Sequence, residues 1–243
     1  LAYGLKTTAS GKHILWSKDK VIIRIAPEVA EFLGAEDAQT SANNAAEAWR
    51  GFPGVPELLV EPGDPEAVVD KDGNPVVGLL MGTPWAYKPN NLAVTVTTYN
   101  EATGQILKAD VLINPNSNFE RVDEGVPLDH PTNYDIEAIL VHEFGHLLGL
   151  QDNNDEPTAT MYPIIELGET SKRSLEEDDQ LGVIAAYADG LAPATTDANS
   201  PITCQKMSVT GFSNRLPSIE LAAFSLAILI LARRGVRRHR RVN

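Results

Sequence analysis

Apolar residues along this chain follow two periods in turn. Val21-Ile22-Ile23-Arg24-Ile25 is a short β-branched run, the composition of a strand. After Pro27, apolar positions recur three and four apart, at Val29, Phe32, Leu33, Ala45, Ala46 and Trp49. This predicts a helix from Glu28 to Arg50, either continuous or divided at Gly34, ended by Gly51 and Pro53. Glu57 to Val60, Val76 to Met81 and Leu92 to Tyr99 read as strands, the last setting Leu92, Val94 and Val96 against Ala93, Thr95 and Thr97. Asn100-Glu101-Ala102-Thr103-Gly104 has hairpin-loop chemistry, and Gln105 to Ile113 resumes strand character, so a β-hairpin is expected over Leu92 to Ile113. The first 19 residues read as an extended lead-in, and Asn114 to Thr132 as a long polar loop.

The helical period returns from Asp135 to Leu150, with Asn133 or Asp135 as cap, Ile136, Ile139, Leu140, Leu147 and Leu148 as apolar positions, and Gly149 as the stop. A further helix is expected after Ser174, which fits an N-cap, with Glu176 and Glu177 in an acidic first turn and Leu181, Ile184, Ala185 and Tyr187 down one face. Residues 189–215 have the Gly, Ala, Pro, Thr, Asn and Ser content of a linker. The expected organisation is a lead-in (1–11), a main domain (12–190), a linker (191–215) and a tail (216–243).

At 243 residues, with 43% hydrophobic and 22% charged positions, the chain can bury one sizeable core. Its net charge is -13, and Arg233, Arg234, Arg237, Arg238, Arg240 and Arg241 crowd the end, so the body is more acidic still. Such a surface repels phosphate backbones and argues against nucleic acid as a partner. Cys204 is the one cysteine, so no internal disulfide can staple the fold.

The sharpest chemistry is His142-Glu143-Phe144-Gly145-His146, the H-E-x-x-H pattern inside a predicted helix. At about 100° per residue, histidines four apart share one face, so both imidazoles can hold one zinc ion while Glu143 acts as base on the metal's water. A tetrahedral site needs a third protein ligand. Gly149 allows the chain to turn back, and Asp152 then arrives six residues after His146 as that ligand. Downstream, after the polar stretch Asp152 to Asp155, lies Thr160-Met161-Tyr162-Pro163.

With these residues in view, the chain resembles the metzincin zinc endopeptidases, and among them the matrixins and their bacterial relatives. The zinc helix His142 to Leu150, the Met-turn Thr160-Met161-Tyr162-Pro163 and the closing helix Leu175 to Tyr187 match in order, and the resemblance runs over roughly residues 12 to 190. It implies an α+β catalytic domain: a twisted, mostly parallel sheet with an antiparallel edge strand, a long zinc helix, a Met-turn and a C-terminal helix. It also implies peptide-bond hydrolysis, with Met161 as an apolar floor beneath the zinc and with protein or peptide substrates. An edge strand within Gln105 to Ile113, at Ala109, Asp110, Val111 and Leu112, is expected to pair with the substrate, and Tyr162, Pro163 and Ile164 to line the pocket for the residue after the cut. Where the family usually has histidine this chain has Asp152, an anion that leaves less net charge at zinc and acidifies its water less. Structural calcium is a further expectation for such a domain, with Asp110, Asp123 and Asp129 as available oxygen donors.

Leu221 to Ala232 is an apolar run followed at once by arginines, short of the about 20 residues of a full span. It resembles the C-terminal sorting tails of bacterial exported proteins. The expectation is therefore an exported, monomeric zinc endopeptidase, secreted or at the cell surface, touching membrane through this tail alone. A competing reading is a surface adhesion or binding module that keeps the fold and has lost catalysis through Asp152. Another takes Glu166 or Glu169 as the third ligand.

Overall fold

The structure, a computed structural model, describes residues 3–65, 69–123 and 131–188 in full and residues 202–209 as backbone. Strand β1 (Lys20–Ile25) leads into helices α1 (Pro27–Leu33) and α2 (Ala35–Ala48). The predicted helix is thus two, divided at Gly34. The buried face of α2 consists of small residues, Ala38, Ser41, Ala42, Ala45 and Ala46, which let it lie close to its neighbours. Strands β2 (Glu57–Pro62), β3 (Val76–Met81), β4 (Asn91–Tyr99) and β5 (Ile106–Ile113) follow, then the short β6 (Phe119–Glu120) and β7 (Tyr134–Asp135). Helix α3 (Ile136–Leu147), β8 (Ile164–Ile165), a 3-10 turn at Ser171–Arg173, helix α4 (Glu177–Tyr187) and β9 (Ile202–Val209) complete the described elements.

Seven strands form one sheet in the order β2-β1-β3-β5-β4-β9-β8. The pairs β1 with β2, β1 with β3 and β3 with β5 are parallel, β4 is antiparallel to β5, and the expected α+β architecture with a mostly parallel sheet holds. The hairpin expected over Leu92 to Ile113 is β4 and β5, its loop held by the Asn100 side chain, which accepts from the amides of Ala102 and Thr103.

Three expectations change. Strand β5, carrying Ala109, Asp110, Val111 and Leu112, lies between β3 and β4 and is not an edge strand, because both of its sides are already paired. The antiparallel strand beyond it is β4. Residues 202–209, read as linker from composition, form β9 against β4. Ser174 does not cap α4: it is extended (φ -109°, ψ 129°) at the end of the 3-10 turn, and the cap is Glu176, whose amide donates to Asp179 three residues on. The apolar run 221–232 and its arginines lie outside the described residues.

All twelve residues of α3 are buried, as expected of a helix with little polar face. It packs on α2, β4, the 3-10 turn and β9. Trp49 donates its indole N–H to the Val141 carbonyl at 2.8 Å and Trp16 to the Leu147 carbonyl at 2.9 Å. Two buried tryptophans therefore fix the rotation of α3 about its axis through hydrogen bonds as well as area.

Candidate metal centre

The start of α3 is set by Asp135, whose side chain accepts from the Ala138 amide at 2.8 Å. The same carboxylate receives two bonds from the Arg173 guanidinium, at 2.8 and 2.6 Å, with both residues buried. Arg173 also donates to the Val122 carbonyl, so one buried fork ties the long loop, the helix cap and the 3-10 turn together. At the other end, Lys6 Nζ donates to the His146 carbonyl at 2.8 Å, placing a cation at the negative end of the helix. The lead-in thus belongs to the support of the site.

The two histidines rise one turn apart from α3. His142 Nδ1 is 2.8 Å from the Thr160 carbonyl and His146 Nδ1 is 3.0 Å from the Leu150 carbonyl. A carbonyl only accepts, so each Nδ1 carries the proton and each Nε2 presents a lone pair. Beyond α3, Gly149 has φ 97°, and a β-carbon there would strike the Ile14 carbonyl oxygen. The chain turns at this point and delivers Asp152, whose Oδ1 is 3.1 Å from His146 Nε2 and 3.5 Å from His142 Nε2. One ligand atom from each of His142, His146 and Asp152 lies within 4.8 Å of the others, the one such group of three among the described residues.

The fit to a metal is tested by what these atoms otherwise do. His142 Nε2, His146 Nε2 and Asp152 Oδ1 are buried and have no hydrogen-bond partner. Three convergent polar atoms left unpaired would be costly without a ligand, and two nitrogens with one carboxylate oxygen match the donor set of zinc. His142 and His146 expose no surface, whereas the Asp152 side chain is 21% exposed. Burial pushes His146 down to about 4, and this keeps its imidazole neutral.

Glu143 is fully buried beside this group. Burial raises it to about 7, opposed by the neighbouring His142 and by the Thr95 hydroxyl, which donates to its Oε2 at 2.6 Å. Thr95 lies on β4. It is a site residue that sequence reasoning missed, its one trace being the inward alternation of Ala93, Thr95 and Thr97.

Met161 is buried beneath α3, against Gly145 between the two histidines. A β-carbon at Gly145 would collide with Met161 Sδ and stand 2.8 Å from Trp49 Cζ2, so this glycine is required by close approach. The Met161 and Thr160 amides both donate to Asp179, at 3.0 and 2.8 Å, and the Met161 carbonyl accepts from Asn153. Tyr162, Pro163 and Ile164 follow, half-buried, with Ile164 in β8. Ala109 to Leu112 stand one strand further in than β4. Asp110 is engaged by Lys108 at 2.8 Å and by the Gly78 amide, and Asp129 lies outside the described residues. Glu166 and Glu169 are not in the ligand group: Glu169 accepts from the Glu166 amide and from Ser171.

Comparison with known proteins agrees with this geometry. The matrixin family (peptidase M10) model matches residues 81–188. Human neutrophil collagenase is 42% identical over 71 residues, which is 29% of this chain and 15% of that protein. Human matrix metalloproteinase-16 is 39% identical over 77 residues, 30% of this chain and 12% of the relative. Metalloendoproteinase 1-MMP of Arabidopsis thaliana is 26% identical over 182 residues, covering 71% of this chain and 44% of its own length. The chain spans less than half the length of each of these relatives. The matched stretch holds β4, β5, the zinc helix, the Met-turn and α4, and over it this chain is similar to the matrixins, a family of zinc peptidases.

Proposed function

We propose that the chain is an exported zinc endopeptidase that hydrolyses internal bonds of extended protein substrates. The observation that carries this reading is the convergence of three unpaired buried ligand atoms, His142 Nε2, His146 Nε2 and Asp152 Oδ1, beside the buried carboxylate of Glu143. His142, His146 and Asp152 hold the zinc, which when bound supplies Lewis acidity toward a scissile carbonyl and a water molecule. Glu143 would take the proton from the attacking water and pass it to the leaving amine nitrogen, with Thr95 fixing which carboxylate oxygen faces inward. Met161 forms the apolar floor. Tyr162, Pro163 and Ile164 wall the pocket for the residue after the cut, and the substrate pairs as a strand with β4. The enzyme acts as a single copy, and the apolar run 221–232 with its following arginines tethers it at the outer face of a membrane or is removed on delivery.

The test is cleavage of an unstructured protein by the zinc-loaded full chain, beside Glu143→Ala and a chelator control. Cleavage lost in both controls is expected. Tight zinc binding with no cleavage of any substrate would instead support the binding-module reading, in which Asp152 keeps the metal but the site no longer turns over.

A further inference from the structure

The outer edge of β4 is not free. Residues 202–209 run antiparallel along it, pairing Thr98 with Ile202, Thr95 with Gln205 and Ala93 with Met207. On its other side β9 pairs in parallel with β8, Ile164 with Ser208 and Ile165 with Val209. A strand here forms main-chain ladders with two walls at once: β4, and the segment that follows Met161. Without β9, both walls would be open strand edges. The slot between them suits one extended peptide of fixed direction, held by backbone hydrogen bonds.

This slot passes the metal centre. Gln205 lies opposite Thr95, the residue whose hydroxyl holds Glu143. Ser208 lies opposite Ile164, three residues after Met161. Helix α3 packs against β9, and His142, Glu143 and His146 on it have no exposed surface. The sequence of β9, Ile-Thr-Cys-Gln-Lys-Met-Ser-Val, contains neither Pro nor Gly, so every residue can contribute to a ladder. The stretch before it, 189–201, has the composition of a tether, and a tethered strand meets its slot at an effective concentration on the order of millimolar.

We infer that residues 202–209 are a built-in occupant of the substrate slot, a competitive inhibitor carried on the same chain, whose departure admits protein substrates. The inference rests on the peptidase reading above. Occupancy in this register keeps Glu143 and the two imidazoles from an incoming chain, and any cut, displacement or pull that removes the segment activates the enzyme.

Two variants of the full chain test it. Adjacent strand residues direct their N–H groups to opposite sides, so Gln205→Pro together with Lys206→Pro deletes one donor toward β4 and one away from it. With zinc content equal to wild type, KM for a short unstructured fluorogenic peptide is expected to fall by about tenfold or more, with kcat little changed. In the second variant, Val96→Cys is placed opposite the native Cys204, a register pair whose Cα spacing suits a disulfide. Oxidation of this variant is expected to abolish peptide cleavage, and a thiol reductant to restore it. An unchanged KM in the proline variant, with oxidised and reduced Val96→Cys cutting equally fast, overturns the inference and leaves the peptidase reading standing. If zinc-loaded wild type, proline variant and reduced Val96→Cys all cut nothing, the peptidase reading fails and takes this inference with it.

Discussion

The Thr95 hydroxyl lies 2.6 Å from a carboxylate oxygen of Glu143 and 3.1 Å from the Glu143 main-chain carbonyl. A strand residue thus fixes both the position of the helix and the rotamer of its buried acid. Thr95→Val keeps the shape and deletes the donor, at a cost of about 1.5–3 kcal/mol for a bond to a charged group. If that bond orients the base, kcat should fall by about tenfold to a hundredfold while KM moves little, and Thr95→Ser should restore most of the loss. Equal loss in Thr95→Ser would mean that packing, and not the hydroxyl, is what matters.

Asp152 supplies the one anionic donor in the metal group. Asp152→Ala should weaken zinc affinity by more than about a hundredfold, exceeding the loss usual for an outer partner of a ligand, as read by metal content after dialysis against a weak chelator. Asp152→His should retain zinc. With the anion gone, the net charge at the metal rises and its water is more acidic, so the acid limb of the rate profile should move to lower pH. Superimposable profiles for the two enzymes would argue against Asp152 as a ligand.

Gly145 leaves no room for a side chain between Met161 and Trp49. Gly145→Ala should cost about 1–3 kcal/mol through overpacking, outweighing the helix propensity gained from alanine. Thermal unfolding should show a midpoint lower by about 3–10 °C. An unchanged or raised midpoint would show that the Met-turn yields freely, contrary to its several bonds to Asp179 and Asn153.

Arg173 and Asp135 form a buried, doubly hydrogen-bonded pair at the head of α3. Arg173→Leu would strand the Asp135 carboxylate away from water, a loss of about 3–5 kcal/mol in denaturant unfolding. Replacing both residues by apolar ones should recover part of that loss, and additivity of the two single changes would contradict a direct coupling.

Much of the centre was legible because its information is local. His142, Glu143 and His146 need only a helical period to share a face, and Gly149 with Asp152 follows within one turn of chain. Thr95 was not legible as a partner of Glu143, since that contact is made by the way α3 lies across the sheet, and the alternation of β4 shows only that Thr95 shares a face with Ala93 and Thr97. The edge-strand assignment failed for the same reason. The β5 run alternates like that of β4, and which of them ends inside depends on pairing with β3, a contact between distant segments. Residues 202–209 were masked by their neighbours, because averaging over 189–215 hides eight residues with strand chemistry inside a linker-like composition. At Ser174, the general preference for serine as a cap was overridden by Asp179, which already faces the Met-turn and takes the Glu176 amide as well.

Asp179 gathers the amides of Thr160, Met161 and Glu176 onto one buried carboxylate. During synthesis the ribosome releases both histidines, the acid and Asp152 well before it releases this anchor. For that interval the nascent chain carries its metal-binding groups without the clasp that closes the floor beneath them. A chain truncated just before Glu176 would therefore keep every coordinating residue and lack the carboxylate that holds Thr160 and Met161 in place.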